Sequence, residues 1–192
     1  MTTSDSNPRN VLWPVAGLLL LAALARVIPH TANVTPFFAV AMAAGAWMGR
    51  DQVKLTSAMA IGSMLISDLV LGFHWTMPFV YAGLAIGILV GAIGNTKLVK
   101  TESAAVRLLK AIGFAGTGSA GFFVVSNIGV WLVGGIYPMT ADGLISCFVM
   151  AVPFFMKSLA SDLFFGSLLL MGVAQLSARR SVPVRDGVLN AR

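Results

Sequence analysis

At 192 residues, with 57% hydrophobic side chains, 10% charged ones and a mean hydropathy of +0.87, the chain is too apolar for a water-soluble domain and has the composition of a polytopic membrane protein. Its net charge of +6 would suggest nucleic acid in a soluble protein, but the basic residues lie between and after apolar runs, where they set orientation in a membrane, so no nucleic-acid partner is expected. The single cysteine, Cys147, excludes an internal disulfide and any cysteine-based metal cluster.

The expected organisation is a polar head over residues 1–10, a membrane domain over 11–176 and a basic tail over 177–192. The first apolar run, Val11 to Ile28, contains Ala23-Leu24-Ala25, which also fits a signal-peptide cleavage site. Retained as span 1, it explains Arg26, whose long side chain can snorkel outward or meet an acid inside the bundle. Pro29 to Pro36 reads as a loop, with Thr35 an N-cap and Pro36 the first helical residue. Span 2, Pro36 to Gly49, rises roughly 21 Å, short of the hydrocarbon thickness, which suggests that the preceding loop dips inward. Span 3 covers Leu55 to Phe73. Span 4, Pro78 to Gly94, carries Gly83, Gly87 and Gly91 at four-residue spacing, a ridge for close helix packing. Span 5 runs from about Leu108 to Gly134. Leu144 to Val152 is too short to cross alone and is interrupted by Pro153, so it reads as a re-entrant or interfacial lid before span 6, Phe154 to Leu176. The predicted fold is thus all-α, with six transmembrane helices plus this short helix.

Eleven of the 13 Lys and Arg residues fall on the side that holds both termini, and the positive-inside rule makes that side cytoplasmic. Spans 1, 3 and 5 then end outside, and Arg26, Asp68, Asn127, Lys157 and Asp162 form one polar layer in the outer leaflet. Asp68 is the most informative of these, because a carboxylate at mid-bilayer costs about 2.5 to 3.5 kcal/mol on insertion scales and usually faces a cavity or bundle interior. The outer loops add His30, Asn33, His74, Trp75, Tyr137 and Asp142, and Tyr81 lies just inside span 4. These residues could line a small-molecule site open to the outside. The structural alternative is that Arg26 with Asp68, and Lys157 with Asp162, are ion pairs that fix helix register. Lys157 and Asp162 are five apart and face each other poorly on one helix, so each should seek a partner on another span.

Three further readings carry less. His30 and His74, with Asp68 or Asp142, invite metal coordination, but loop histidines more often cap or hydrogen-bond, and no metal is expected. Gly116, Gly118 and Gly121 spell GxGxxG inside an apolar helix with no strand beside them, and read as packing positions. Ser119 could suggest an intramembrane protease, but neither histidine stands on a helix where it could act as base.

The segments RVIPHTANVTP (26–36), SDLVLGFH (67–74), SNIGVWL (126–132) with Tyr137, GLISCFVMAVPFF (143–155) and SDLFFGSLL (161–169) resemble the membrane-embedded S components of energy-coupling-factor (ECF) vitamin transporters. More closely they resemble an uncharacterised bacterial family assigned to that group. The resemblance covers about residues 26–170. It implies a non-enzymatic, cofactor-free, substrate-binding subunit of the bacterial inner membrane, multi-pass, that takes up a small vitamin-like molecule. Membrane lipid and an energising transmembrane subunit with ATPases are the implied partners. Arg26, His30, Asn33, Asp68, His74, Trp75, Tyr81, Asn127, Tyr137, Lys157 and Asp162 are its candidate substrate contacts. The pattern departs in one place. S components that share an energising module carry an AxxxA ridge on span 1, whereas here Ala22 meets Arg26 and Ala16 meets Leu20. The nearest ridges are on span 2, Ala39 with Ala43 and Ala41 with Gly45 and Gly49. The N-terminal Met-His hook of cobalt and nickel S components is absent as well. The alternative from another class is a non-catalytic accessory or assembly subunit of a membrane complex, and the third is a membrane-embedded enzyme.

Overall fold

A computed structural model describes residues 9–28, 36–101 and 103–180; the head residues 1–8, the loop 29–35 and the tail 181–192 lie outside the described residues. The described chain is all-helical: α1 (Arg9–Ala25), α2 (Phe37–Met48), a short 3-10 turn (Arg50–Gln52), α3 (Val53–Leu71), α4 (Met77–Val99), α5 (Ala104–Val133) and α6 (Ala141–Arg180). Four helical segments, Arg50–Leu71, Met77–Val99, Ala104–Val133 and Ala141–Ala178, are long and apolar enough to cross a membrane, while Val11–Ala25 and Phe37–Met48 are shorter apolar helices.

The short helix α2 is the hub. Its 12 residues rise roughly 18 Å, and it touches each of the other five α-helices. Ala39, Ala41, Met42 and Ala46 have no exposed surface. Small side chains make this possible by letting backbones approach. A Cβ on Gly45 would overlap the Ile88 carbonyl of α4, and a Cβ on Gly91 would overlap the Met42 carbonyl of α2, so the two helices are locked by reciprocal glycines. The expected glycine ridge of α4 is real but serves two neighbours. Gly87 and Gly91 face α2 through Phe38 and Met42, while Gly83 faces Phe122 of α5. The small-residue ridges of α2 are consumed in the same way: Ala39, Ala41, Ala43 and Gly45 are buried inside the bundle and leave no docking stripe on the outside.

Around this hub α1 packs on α3, and α5 packs on α4 and α6. Exposed Trp13, Leu69, Val70, Phe164 and Leu168 cover the outer faces. Only 11% of the apolar window in α6 is buried. Apolar helices that turn so much hydrocarbon outward need an apolar surrounding, and these are the helices of a membrane protein.

The separate lid helix expected at residues 144–152 is not present as an element of its own. Those residues are the first part of α6, which runs 40 residues without interruption through Pro153. Proline removes one intrahelical hydrogen bond, and membrane helices accommodate that loss because neighbouring groups re-satisfy the backbone. Thr140 begins α6 by accepting the Gly143 N–H on its hydroxyl at 3.2 Å, and Trp131 Nε1 donates to the Pro138 carbonyl at 3.0 Å, closing the α5–α6 connection. The register between these two helices changes along their length. Cys147 Sγ meets the Asn127 carbonyl at 3.5 Å and Ser119 meets Asp162 at 2.8 Å. Between those contacts α6 uses fifteen residues where α5 uses eight, so α6 covers about 22 Å against about 12 Å and must run obliquely. That divergence opens a space between the two helices.

Candidate functional site

Asp68 closes one wall of the main cavity. Its carboxylate is 2% exposed on the inward face of α3, while its neighbours Leu69 and Val70 point outward. Arg26, just beyond the end of α1, donates to Asp68 Oδ1 at 2.9 Å and to Ser67 Oγ at 2.6 Å. Tyr81 on α4 donates its hydroxyl to Asp68 Oδ2 at 2.8 Å, and Ser67 passes its own proton to the Met64 carbonyl at 2.8 Å. Both carboxylate oxygens are therefore satisfied, one of them by an ion pair whose donor is charge-assisted. The Arg26 guanidinium carbon also lies 5.9 Å from the centre of the Phe37 ring, within cation–π range. Three helices are tied together by this one acid.

The cavity beside it has a volume of about 310 Å³ and is lined by Arg26, Phe37, Phe38, Met64, Asp68, His74, Met77, Val80, Leu84, Phe122, Ser158 and Asp162, side chains brought by α2 to α6, the α3–α4 turn and the segment just past α1. This is space for roughly ten waters at liquid density, at the small end of ligand pockets. Phe38 and Phe122 form one wall with ring centroids 5.2 Å apart. Asp162, which lines the same cavity, is 6% exposed and accepts the Ser119 hydroxyl at 2.8 Å. Among the described residues it has no cationic partner, the ion pair Arg26–Asp68 being the one formed.

A second cavity of about 210 Å³ fills the divergence between α5 and α6. It is lined by Ser119, Ser126, Asn127, Ser158 and four phenylalanines among others, and shares Phe122 and Ser158 with the first. Its rings are ordered by stacking, Phe123 on Phe155 at 4.3 Å. A third space, about 220 Å³ between α1, α2 and α6, is almost wholly apolar.

The candidate residues thus separate into groups. Arg26, Asp68, His74 and Asp162 line the main cavity, and Tyr81 supports it through Asp68. His74 stands exposed at its edge, with Nδ1 2.6 Å from the Thr76 hydroxyl. Asn127 lines the second cavity and donates to the Phe123 carbonyl at 2.8 Å. Trp75 is 86% exposed and lines none of the three cavities, and half-buried Tyr137 lies in the α5–α6 connection, away from them. Lys157 is exposed, sixteen residues past the first residue of α6. It forms no ion pair with Asp162, because positions five apart diverge around a helix. His30 and Asn33 lie outside the described residues, as does the metal reading that depends on His30; among the described residues no three His, Cys, Asp or Glu side chains converge as metal ligands do. Sequence reasoning passed over Ser158, although Ser158 and Asp162 are four apart and share a helix face. It also missed Ser67 and the aromatic wall, which look like ordinary core positions until helices are placed together.

These features define an α-helical membrane protein with a partly polar cavity between its helices. The chain belongs to the family of unknown function DUF6580, whose model matches residues 6–185. No curated protein and no solved structure matches it.

Proposed function

We propose that the chain is a six-span, S-component-like subunit of the bacterial inner membrane, with both termini cytoplasmic, that binds a small vitamin-like molecule from outside for uptake. The observation that carries this reading is the 310 Å³ cavity lined both by a saturated ion-pair network and by Asp162. Polar groups are costly in a membrane helix unless they meet partners or a wet cavity, and here Arg26, Asp68, Ser158 and Asp162 line one space. α1 and α2 serve as the two short spans. The sequence has no nucleotide-binding motif, so an energising transmembrane subunit with its ATPases would supply the work of transport.

A native mass spectrum of gently extracted protein tests this. A small-molecule adduct on the 20.1 kDa chain supports capture. A stoichiometric protein partner with no adduct would favour an accessory or assembly subunit instead.

A further inference from the structure

Among the described residues, the charges that face the main cavity do not balance. Arg26 and Asp68 neutralise each other at 2.9 Å, whereas Asp162, equally buried, receives only the uncharged Ser119 hydroxyl at 2.8 Å. Lys157 is nearby in sequence but stands exposed on the outer surface of α6. A buried carboxylate calls for a counter-charge or further hydrogen-bond donors, and none comes from the described residues. Facing the same space are the rings of Phe38 and Phe122, tilted by 59° with centroids 5.2 Å apart. Aromatic faces attract cations and do nothing for anions.

From this juxtaposition we infer that the captured molecule is a small organic cation, a protonated amine or a positively charged nitrogen ring, whose charge is placed against Asp162 and the faces of Phe38 and Phe122. The inference rests on the capture reading and specifies its ligand class. Ser119 holds the Asp162 carboxylate in place from α5. The Arg26–Asp68 pair, already saturated, contributes shape and a neutral polar wall; among the described residues this leaves the Asp162 carboxylate as the unbalanced charge for a singly charged guest to cancel. Tyr81 keeps Asp68 occupied on its other oxygen, so that acid does not compete for the same cation.

The experiment uses three probes of one shape and different charge: benzylammonium, benzyl alcohol and benzoate. Full-length protein in phosphatidylcholine nanodiscs at neutral pH is titrated with each by saturation-transfer NMR, as wild type, Asp162→Asn and Asp162→Glu. Benzylammonium should bind about tenfold or more tightly than the other two. Asp162→Asn should erase that preference and Asp162→Glu should keep its direction, which also guards against a folding defect in the neutral variant. Equal binding of benzoate or benzyl alcohol to the wild type, or a preference that survives Asp162→Asn, would overturn the cation assignment while leaving capture intact. Binding of none of the three by protein freed of its native adduct, and able to take that adduct up again, would overturn it too.

Discussion

Replacing Asp68 by asparagine preserves the shape of the side chain and removes its charge, so it probes what the network beside the cavity contributes. In the wild type one carboxylate oxygen accepts from Arg26 at 2.9 Å and the other from Tyr81 at 2.8 Å. An amide can turn its oxygen to Arg26 and donate its NH₂ to the Tyr81 hydroxyl, but Arg26 would keep an uncompensated charge. Breaking a buried ion pair costs about 3 to 5 kcal/mol. The Arg26 side chain is 18% exposed, and water relieves part of that, so a loss of about 2 to 4 kcal/mol is expected for Asp68→Asn and for Arg26→Gln alike. The double variant removes both charges and should lose less than the two single losses combined, with a coupling of about 1.5 to 3 kcal/mol. Unfolding in mixed micelles, followed by circular dichroism, measures all four corners of the cycle. Losses that add to within about 0.5 kcal/mol would refute the pairing as an energetic unit, and with it the account of what holds this wall.

Other outcomes follow from the same geometry. Tyr81→Phe deletes a hydrogen bond to a charged acceptor and should destabilise by about 1.5 to 3 kcal/mol, with little change in the Arg26–Asp68 coupling when the cycle is repeated in that background. Gly91→Ala places a Cβ against the Met42 carbonyl and should cost about 1 to 3 kcal/mol by overpacking, whereas Gly62→Ala, where nothing lies within 4 Å, should be neutral or stabilising in the same melt. Single cysteines at Asp142 and at Lys100 should label from opposite sides of intact cells, Asp142 from outside; labelling of Lys100 from outside would reverse the orientation. Hydrogen exchange over residues 141–152 should slow when ligand in the main cavity extends past Ser158 into the space between α5 and α6; unchanged protection with bound ligand would make that arm fixed scaffolding.

Much of the helical layout was legible because it depends on apolar runs and their punctuation. A helix was expected at Pro36 to Gly49 and one forms at Phe37–Met48; another was expected at Leu55 to Phe73 and forms at Val53–Leu71. The α5–α6 region was misread because Pro153 was given the weight it has in soluble helices, and α6 continues through it. The polar layer was visible as a set of costly residues, but not its pairing. Arg26 and Asp68 lie 42 positions apart, and whether they meet, or Asp162 meets Lys157, depends on how helices rotate about their axes. That rotation is fixed by contacts such as Gly45 against Ile88 and Gly91 against Met42, which no single segment reveals. Ser119 illustrates the same limit: in sequence it was a discarded nucleophile, and in the fold it is the hydrogen-bond donor that positions Asp162.

The claim that matters most is that the cavity holds a small molecule. It is tested most directly by heat-denaturing equal amounts of folded wild-type and Ser158→Trp protein, purified identically from native membranes, and identifying by mass spectrometry what each releases. Ser158 lines both polar cavities, and an indole there would fill much of the space. One compound released at close to one per wild-type chain, and lost from the variant, is the result predicted here; the same compounds in equal amounts from both proteins, or none from either, would contradict it.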